Sequence, residues 1–241
     1  MTPQIPPHWL LPGTVAQARA AQAEMAARVV ARDDLPARPR IGAADVSNTR
    51  FDPRRRVHAA VVTIDAAGGL MATASESRAA DFPYVPGYLG FREVPALVAA
   101  WARLDPKPGL LLVDGQGLAH PRGLGLATHL GVVLDVPTIG VAKSRLVGEG
   151  EPGPNAGDAA PLLWKGERIG TALRIRRGAR PIYVSIGHRV SLETAEALVR
   201  AACDGRRLPG PIRAAHAAAN AARRAAEAYL TSGQPPSASG R

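Results

Sequence analysis

Two aspartates sit where apolar runs stop: Asp45 follows Ile41-Gly-Ala-Ala44, and Asp114 follows Gly109-Leu-Leu-Leu-Val113. If both runs are strands lying side by side and parallel, both carboxylates emerge at one carboxyl edge, where open α/β sheets bind ligands. Close carboxylates repel and desolvate one another unless a cation lies between them, and an all-oxygen set suits Mg²⁺. Glu93, at the start of the helix after a proline-rich turn, offers a third oxygen. Any one of these residues alone reads first as a helix cap or a strand-end charge. Their placement at matching points of separate elements is what points to a metal.

The elements that must hold them follow from pattern. Thr14, with Gln17 three residues on, resembles a capping box that opens a helix through about Val30. Strands are expected at Arg40–Val46, Val57–Ile64 and Leu70–Glu76, the last two forming a hairpin across a glycine-bearing turn. Phe82-Pro-Tyr-Val-Pro-Gly-Tyr88 cannot be a central strand, because proline cannot donate to a ladder. A helix is expected at Phe91–Leu104, then a buried strand at Gly109–Val113, a helix ending near Leu134, and a short strand at Thr138–Ala142. Short links between these imply parallel pairing. The Gly/Pro/Asp-rich stretch 148–160 reads as a surface loop. Arg168–Arg174 and Ile182–Ser185 read as a second hairpin, Ser191 as the cap of a helix to Ala202, and Pro211–Leu230 as a last helix. The order is α/β, with helices around a mixed sheet. Residues 1–230 are expected to form one catalytic domain and 231–241 a disordered tail.

Thirty basic residues against twenty acidic give a net charge of +10, which favours a polyanionic partner. Only Lys107, Lys143 and Lys165 are lysines, so a GC-rich genome accounts for the arginine excess equally well. No apolar run suits a membrane span, and Met1–Leu11 lacks the basic region of a secretory signal, so a cytoplasmic location is expected. Cys203 falls in a helical pattern and reads as a small buried thiol. No coiled-coil seam stands out, and a monomer is expected.

Several motifs resemble the endonuclease V (deoxyinosine 3′ endonuclease) family. They are Asp45-Val-Ser47, Phe82 through Glu93, Val113-Asp-Gly-Gln-Gly-Leu-Ala-His-Pro-Arg122, Gly140-Val-Ala-Lys143, Gly187-His-Arg-Val-Ser-Leu192 and Pro211-Ile-Arg-Ala-Ala-His216. The resemblance runs from about Thr14 to Tyr229, and Ile186 departs from the proline that some members have before Gly-His. It implies a ribonuclease H-like fold, with three antiparallel strands followed by parallel ones. It also implies cleavage at the second phosphodiester bond 3′ of deoxyinosine in DNA, leaving 3′-hydroxyl and 5′-phosphate ends. Inosine-containing RNA is the rival substrate, and a non-catalytic nucleic-acid-binding protein of the same fold the remaining alternative.

Residue by residue, the resemblance implies that Asp45, Glu93, Asp114 and His216 form the metal site, with Mg²⁺ as cofactor and Mn²⁺ as a substitute. It places His120 and Lys143 near the scissile phosphate. A lysine in so arginine-rich a chain hints at a specific need for a compact charge, although a surface lysine is the plain alternative. His120 follows a Gly-Gln-Gly turn and reads equally as a loop-packing histidine. Tyr84, framed by Pro83, Val85 and Pro86, matches a wedge that enters the duplex at the lesion. A stiff loop presenting a ring suits that role, and it suits a packed border as well. Gly87, Gly117 and Gly125 are expected to let backbone approach the base or phosphates. His58, His129 and His188 carry no assigned chemistry.

Overall fold

The computed structural model describes residues 5–49 and 52–232, the last three by backbone alone. Its strands are β1 (Ile41–Asn48), β2 (Arg56–Ile64), β3 (Leu70–Ala79), β4 (Leu110–Val113), β5 (Thr138–Ala142), β6 (Ala159–Trp164), β7 (Glu167–Leu173) and β8 (Ile182–His188). The helices are α1 (Pro7–Leu10), α2 (Val15–Ala26), α3 (Leu89–Arg103), α4 (Leu126–Leu134), α5 (Leu192–Ala201) and α6 (Gly210–Ser232).

All eight strands join one sheet in the order β3-β2-β1-β4-β5-β8-β7-β6. β1, β2 and β3 pair antiparallel, whereas β1/β4 and β4/β5 pair parallel, as a ribonuclease H-like sheet requires. β5/β8, β8/β7 and β7/β6 return to antiparallel pairing. β2 and β4 are apolar almost throughout because both faces of the sheet centre are covered. One face packs Ala44, Leu111 and Val113 against Phe91, Val94 and Leu97 of α3 and Leu130 of α4. The other packs Ala43, Leu112 and Val141 against Ala195 and Val199 of α5 and Ile212 and Ala215 of α6.

Several expectations need correction. β6 begins at Ala159, inside the stretch read as a loop, and Glu149 in that stretch bridges to Leu163. Pro161 and a register shift between Leu162 and Leu163 hide the period-two signal that would have exposed this edge strand. α1 is a single turn, too short for a periodic signature. α2 stops at Ala26 instead of Val30. Thr14 Oγ1 accepts from Gln17 N at 3.1 Å as expected, but Gln17 Oε1 accepts from Gly13 N at 2.8 Å, one residue before the cap. Cys203 lies just past α5 and is half-buried. α6 includes Thr231 and Ser232, which were expected in the tail; residues 233–241 lie outside the described residues. Among the described residues no helix is long and apolar enough to cross a membrane.

Candidate metal centre and adjoining cavity

Alternation along three neighbouring strands brings the chemistry together. Ala43, Leu112 and Val141 face α5 and α6, so the residues two further on in each strand, Asp45, Asp114 and Lys143, project to the same side. The register aligns Ala44 with Val113 and Val113 with Gly140, which sets all three at one carboxyl edge. Asp114 N also donates to Ala44 O at 3.0 Å, tying the end of β4 to β1, which runs on past Asp45 to Asn48.

α6 closes the centre from above. His216 Nδ1 lies 2.7 Å from Asp45 Oδ2, and Asn220, one turn on, lies 3.0 Å from His216 Nε2. Ser47, on the same face of β1 as Asp45, donates to Asn220 Oδ1 at 2.9 Å and accepts from Arg223 Nε at 3.0 Å. Lys143 Nζ ion-pairs with Asp114 Oδ2, without the alignment of a hydrogen bond. Ligand atoms of Asp45, Asp114 and His216 lie within 4.8 Å of one another, a mixed oxygen and nitrogen set able to hold a divalent cation. Burial, and then the charge of Asp114, push the Asp45 carboxyl above its ordinary range. Such strain between buried carboxylates is what a cation relieves.

Glu93 stands apart from that group. It comes from α3, on the other face of the sheet, and is buried. Asn48 Nδ2 donates to its Oε1 at 3.2 Å, and burial pushes its carboxyl up to about 7, with Asp45 and Asp114 adding to the rise. Asn48 and Asn220 carry no sequence signal of their own, and Ser47, though inside a motif, has no role there that sequence alone assigns. The (i, i+4) spacing of His216 and Asn220 on one helix face was the available signal.

Beside the centre lies a cavity of about 410 Å³, lined among others by Tyr84, Gly87, Asp114, His120, Gly125 and Lys143. Tyr84 is 70% exposed at its rim, while Phe82 and Tyr88 on either side are buried and contact Phe91. The Tyr84 loop is therefore anchored at both ends and free at its tip. Gly87 adopts φ +80, and its carbonyl accepts from Arg122 Nη2 at 2.5 Å and Gln22 Nε2 at 2.9 Å. Arg122 also donates to Gln22 Oε1 at 2.5 Å and stacks 4.2 Å over the Tyr88 ring.

His120 is buried, and its Nδ1 accepts from Arg122 N at 3.2 Å. Burial, followed by the Arg122 charge, lowers it to about 4, so it is a neutral wall of the cavity at pH 7. Gly117 and Gly125 have a packing cause: an added Cβ would meet Ile186 O at 2.0 Å and Gln116 O at 2.3 Å. His58 and His188 hydrogen-bond Ser77 and Asp135, away from the centre.

The endonuclease V family model matches residues 23–217. Endonuclease V of Rhodospirillum centenum is 50% identical over 227 residues, covering 92% of this chain and 94% of the relative. The crystal structure of endonuclease V from Streptomyces avermitilis is 42% identical, with a TM-score of 0.83 over 94% of this chain and 100% of the other. Ciona intestinalis endonuclease V, solved with a 24mer DNA containing an inosine followed by a ribo-adenosine, is 26% identical, with a TM-score of 0.75 over 87% of this chain and 98% of the other.

Proposed function

The chain belongs to the endonuclease V family, and from that membership we propose that it is a DNA repair endonuclease acting beside deoxyinosine. It nicks the second phosphodiester bond 3′ of the lesion and leaves 3′-hydroxyl and 5′-phosphate ends. The observation that carries this reading is the cation-ready group of Asp45, Asp114 and His216 beside a cavity with an exposed tyrosine at its rim. A base-sized recess next to a phosphate-cleaving centre suits an enzyme that reads a flipped base and cuts nearby.

Asp45, Asp114 and His216 would hold Mg²⁺, with Glu93 acting behind Asp45, directly or through water. When bound, the cation supplies positive charge for the phosphate and acidifies water. Lys143 neutralises charge on the phosphate as a compact cation at the mouth of the centre. Tyr84 enters the stack at the lesion, and the Arg122–Gln22 clamp keeps its loop at a fixed angle. The neutral His120 walls the base recess. Loop backbone around Pro83–Gly87 approaches the base.

A second substrate, inosine-containing RNA, is favoured by one observation: the Ciona relative was crystallised on a strand carrying a ribonucleotide after the inosine. End-labelled duplexes with one deoxyinosine, and an inosine-containing RNA, test both with Mg²⁺ and with EDTA. Nicking of the DNA at the stated bond, abolished by EDTA and by Asp45→Ala, is expected. Nicking that survives both would refute the metal reading, and cleavage of the RNA alone would reassign the substrate.

A further inference from the structure

The β7–β8 connection, Arg174-Ile-Arg-Arg-Gly-Ala-Arg-Pro181, lies at the same sheet edge as the metal centre. Ala142 pairs with Tyr183 across β5 and β8, so the antiparallel register brings Lys143 opposite Ile182, next to Pro181, where the two strands meet that edge. Two arginines fix this loop from within. Arg174 donates to Gly153 O at 2.6 Å and to Glu151 Oε1 at 3.0 Å, and also reaches Ala179 O. Arg207 donates to Arg180 O at 3.0 Å and to Pro181 O at 3.1 Å, and its Nη2 also holds Lys143 O. Gly178, at φ +72, completes the turn, which Ala179 N closes onto Arg176 O at 3.1 Å.

The remaining three arginines point elsewhere. Arg176, Arg177 and Arg180 are exposed, and none of their guanidinium groups has a hydrogen-bond or ion-pair partner among the described residues. Arg189 and Arg213, by contrast, each pair with aspartates. Three exposed like charges within five residues of a pinned turn concentrate positive potential there, which a polyanionic partner complements. A flexible basic tail would show neither the internal clamps nor the backbone link to Lys143.

We propose that Arg176, Arg177 and Arg180 bind the phosphate backbone of the nucleic acid beyond the cleavage site. Arg207 keeps this contact in register with Lys143. The inference rests on the endonuclease reading above. Contacts of this kind position the strand without reading sequence.

The test is the salt dependence of binding to a labelled duplex bearing one deoxyinosine, measured with EDTA present. Loss of three phosphate contacts makes the slope of log K against log salt shallower by about 2.7, or about 0.9 for each contact. Raising salt from 50 to 200 mM should therefore weaken wild type about 40-fold more than the Arg176→Gln/Arg177→Gln/Arg180→Gln variant. The matched lysine variant should keep the wild-type slope. Arg32→Gln/Arg38→Gln/Arg40→Gln, with the same charge loss on the segment entering β1 at the opposite edge, should keep it too.

An unchanged slope in the loop variant, or an equal change in the control, overturns the proposal. So does binding to anionic phospholipid vesicles that needs these arginines while the DNA slope stays the same. Wild-type nicking with Mg²⁺, assayed in parallel, reports on the parent reading by itself, so the two can fail separately.

Discussion

His216 Nδ1 and Asp45 Oδ2 meet at 2.7 Å although 171 positions separate them in the chain. The contact fastens α6 to β1 just past the end of its ladder with β4, and sets the imidazole beside a carboxylate that is buried and under electrostatic strain. The free protein thus keeps two acidic groups close at a cost in stability, which a cation offsets.

Asp45→Asn should therefore stabilise the metal-free protein while abolishing its function. A carboxyl whose folded-state value is raised contributes most below its ordinary 3.8, and that contribution is lost as pH rises through the folded value. At pH 7.5 in EDTA the variant should melt about 2–4 °C above wild type for each kcal/mol of strain relieved. Added Mg²⁺ should raise the melting temperature of wild type and leave the variant unmoved, with nicking down about 100-fold or more. A variant that melts lower in EDTA and still responds to Mg²⁺ would remove Asp45 from the centre.

Tyr84→Ala should separate recognition from metal binding. The ring is 70% exposed, so stability should change by no more than about 0.5 kcal/mol. Preference for deoxyinosine over undamaged duplex should fall about tenfold, while the Mg²⁺-induced thermal shift stays at the wild-type value. Unchanged preference at every salt concentration would sink the wedge.

Arg122→Ala should loosen the same loop from beneath. It leaves Gln22 Oε1 without its guanidinium donor and Gly87 O with the Gln22 amide alone, at a cost of about 1–3 kcal/mol in urea unfolding. Lysine should not restore it, because one ammonium cannot span both acceptors and stack on Tyr88. The Gln22→Ala/Arg122→Ala pair should cost less than its two parts together, and strict additivity would show that the groups act independently.

His129 should make the fold acid-sensitive. Its Nε2 donates to Trp9 O at 2.7 Å, and burial lowers it from 6.5 to about 4. The neutral ring contributes in full above pH 6.5, and that stability is lost as pH falls from 6.5 toward 4. Between pH 8 and pH 5 wild type should lose about 2 kcal/mol through this group, at about 1.4 kcal/mol per pH unit below 6.5. His129→Gln, which keeps an N–H for Trp9, should show a drop smaller by that amount. Parallel pH profiles would contradict the assignment.

How much of this the sequence discloses depends on how local the cause is. Asp45 and Asp114 betray themselves because an apolar run ending in a charge is a one-dimensional pattern, and the parallel pairing of β4 and β5 follows from the short links around α4, whereas the place of β1 beside β4 is set by the docking of a hairpin and a helix between them. Tyr84 is legible because two prolines fix its loop. Asn220 and Gln22 are not, since their roles exist only once α6 and α2 have docked on elements far away in the chain. Glu93 is half legible: its carboxylate is foreseeable, but not its approach from the opposite face of the sheet, where it is buried beside Asn48. His120 was legible only as a choice between a group near the phosphate and a loop-packing histidine; its burial, which lowers it to about 4, depends on the surrounding fold.

The late arrival of His216 has a bearing on synthesis. The helix that carries it also covers Ala43, Leu112 and Val141, so a chain truncated before α6 lacks both the third member of the candidate cation group and the lid of one core. Closure of that core and completion of the candidate centre both wait on the same helix. On the proposed reading, a fragment released before α6 is expected to be a blank blade.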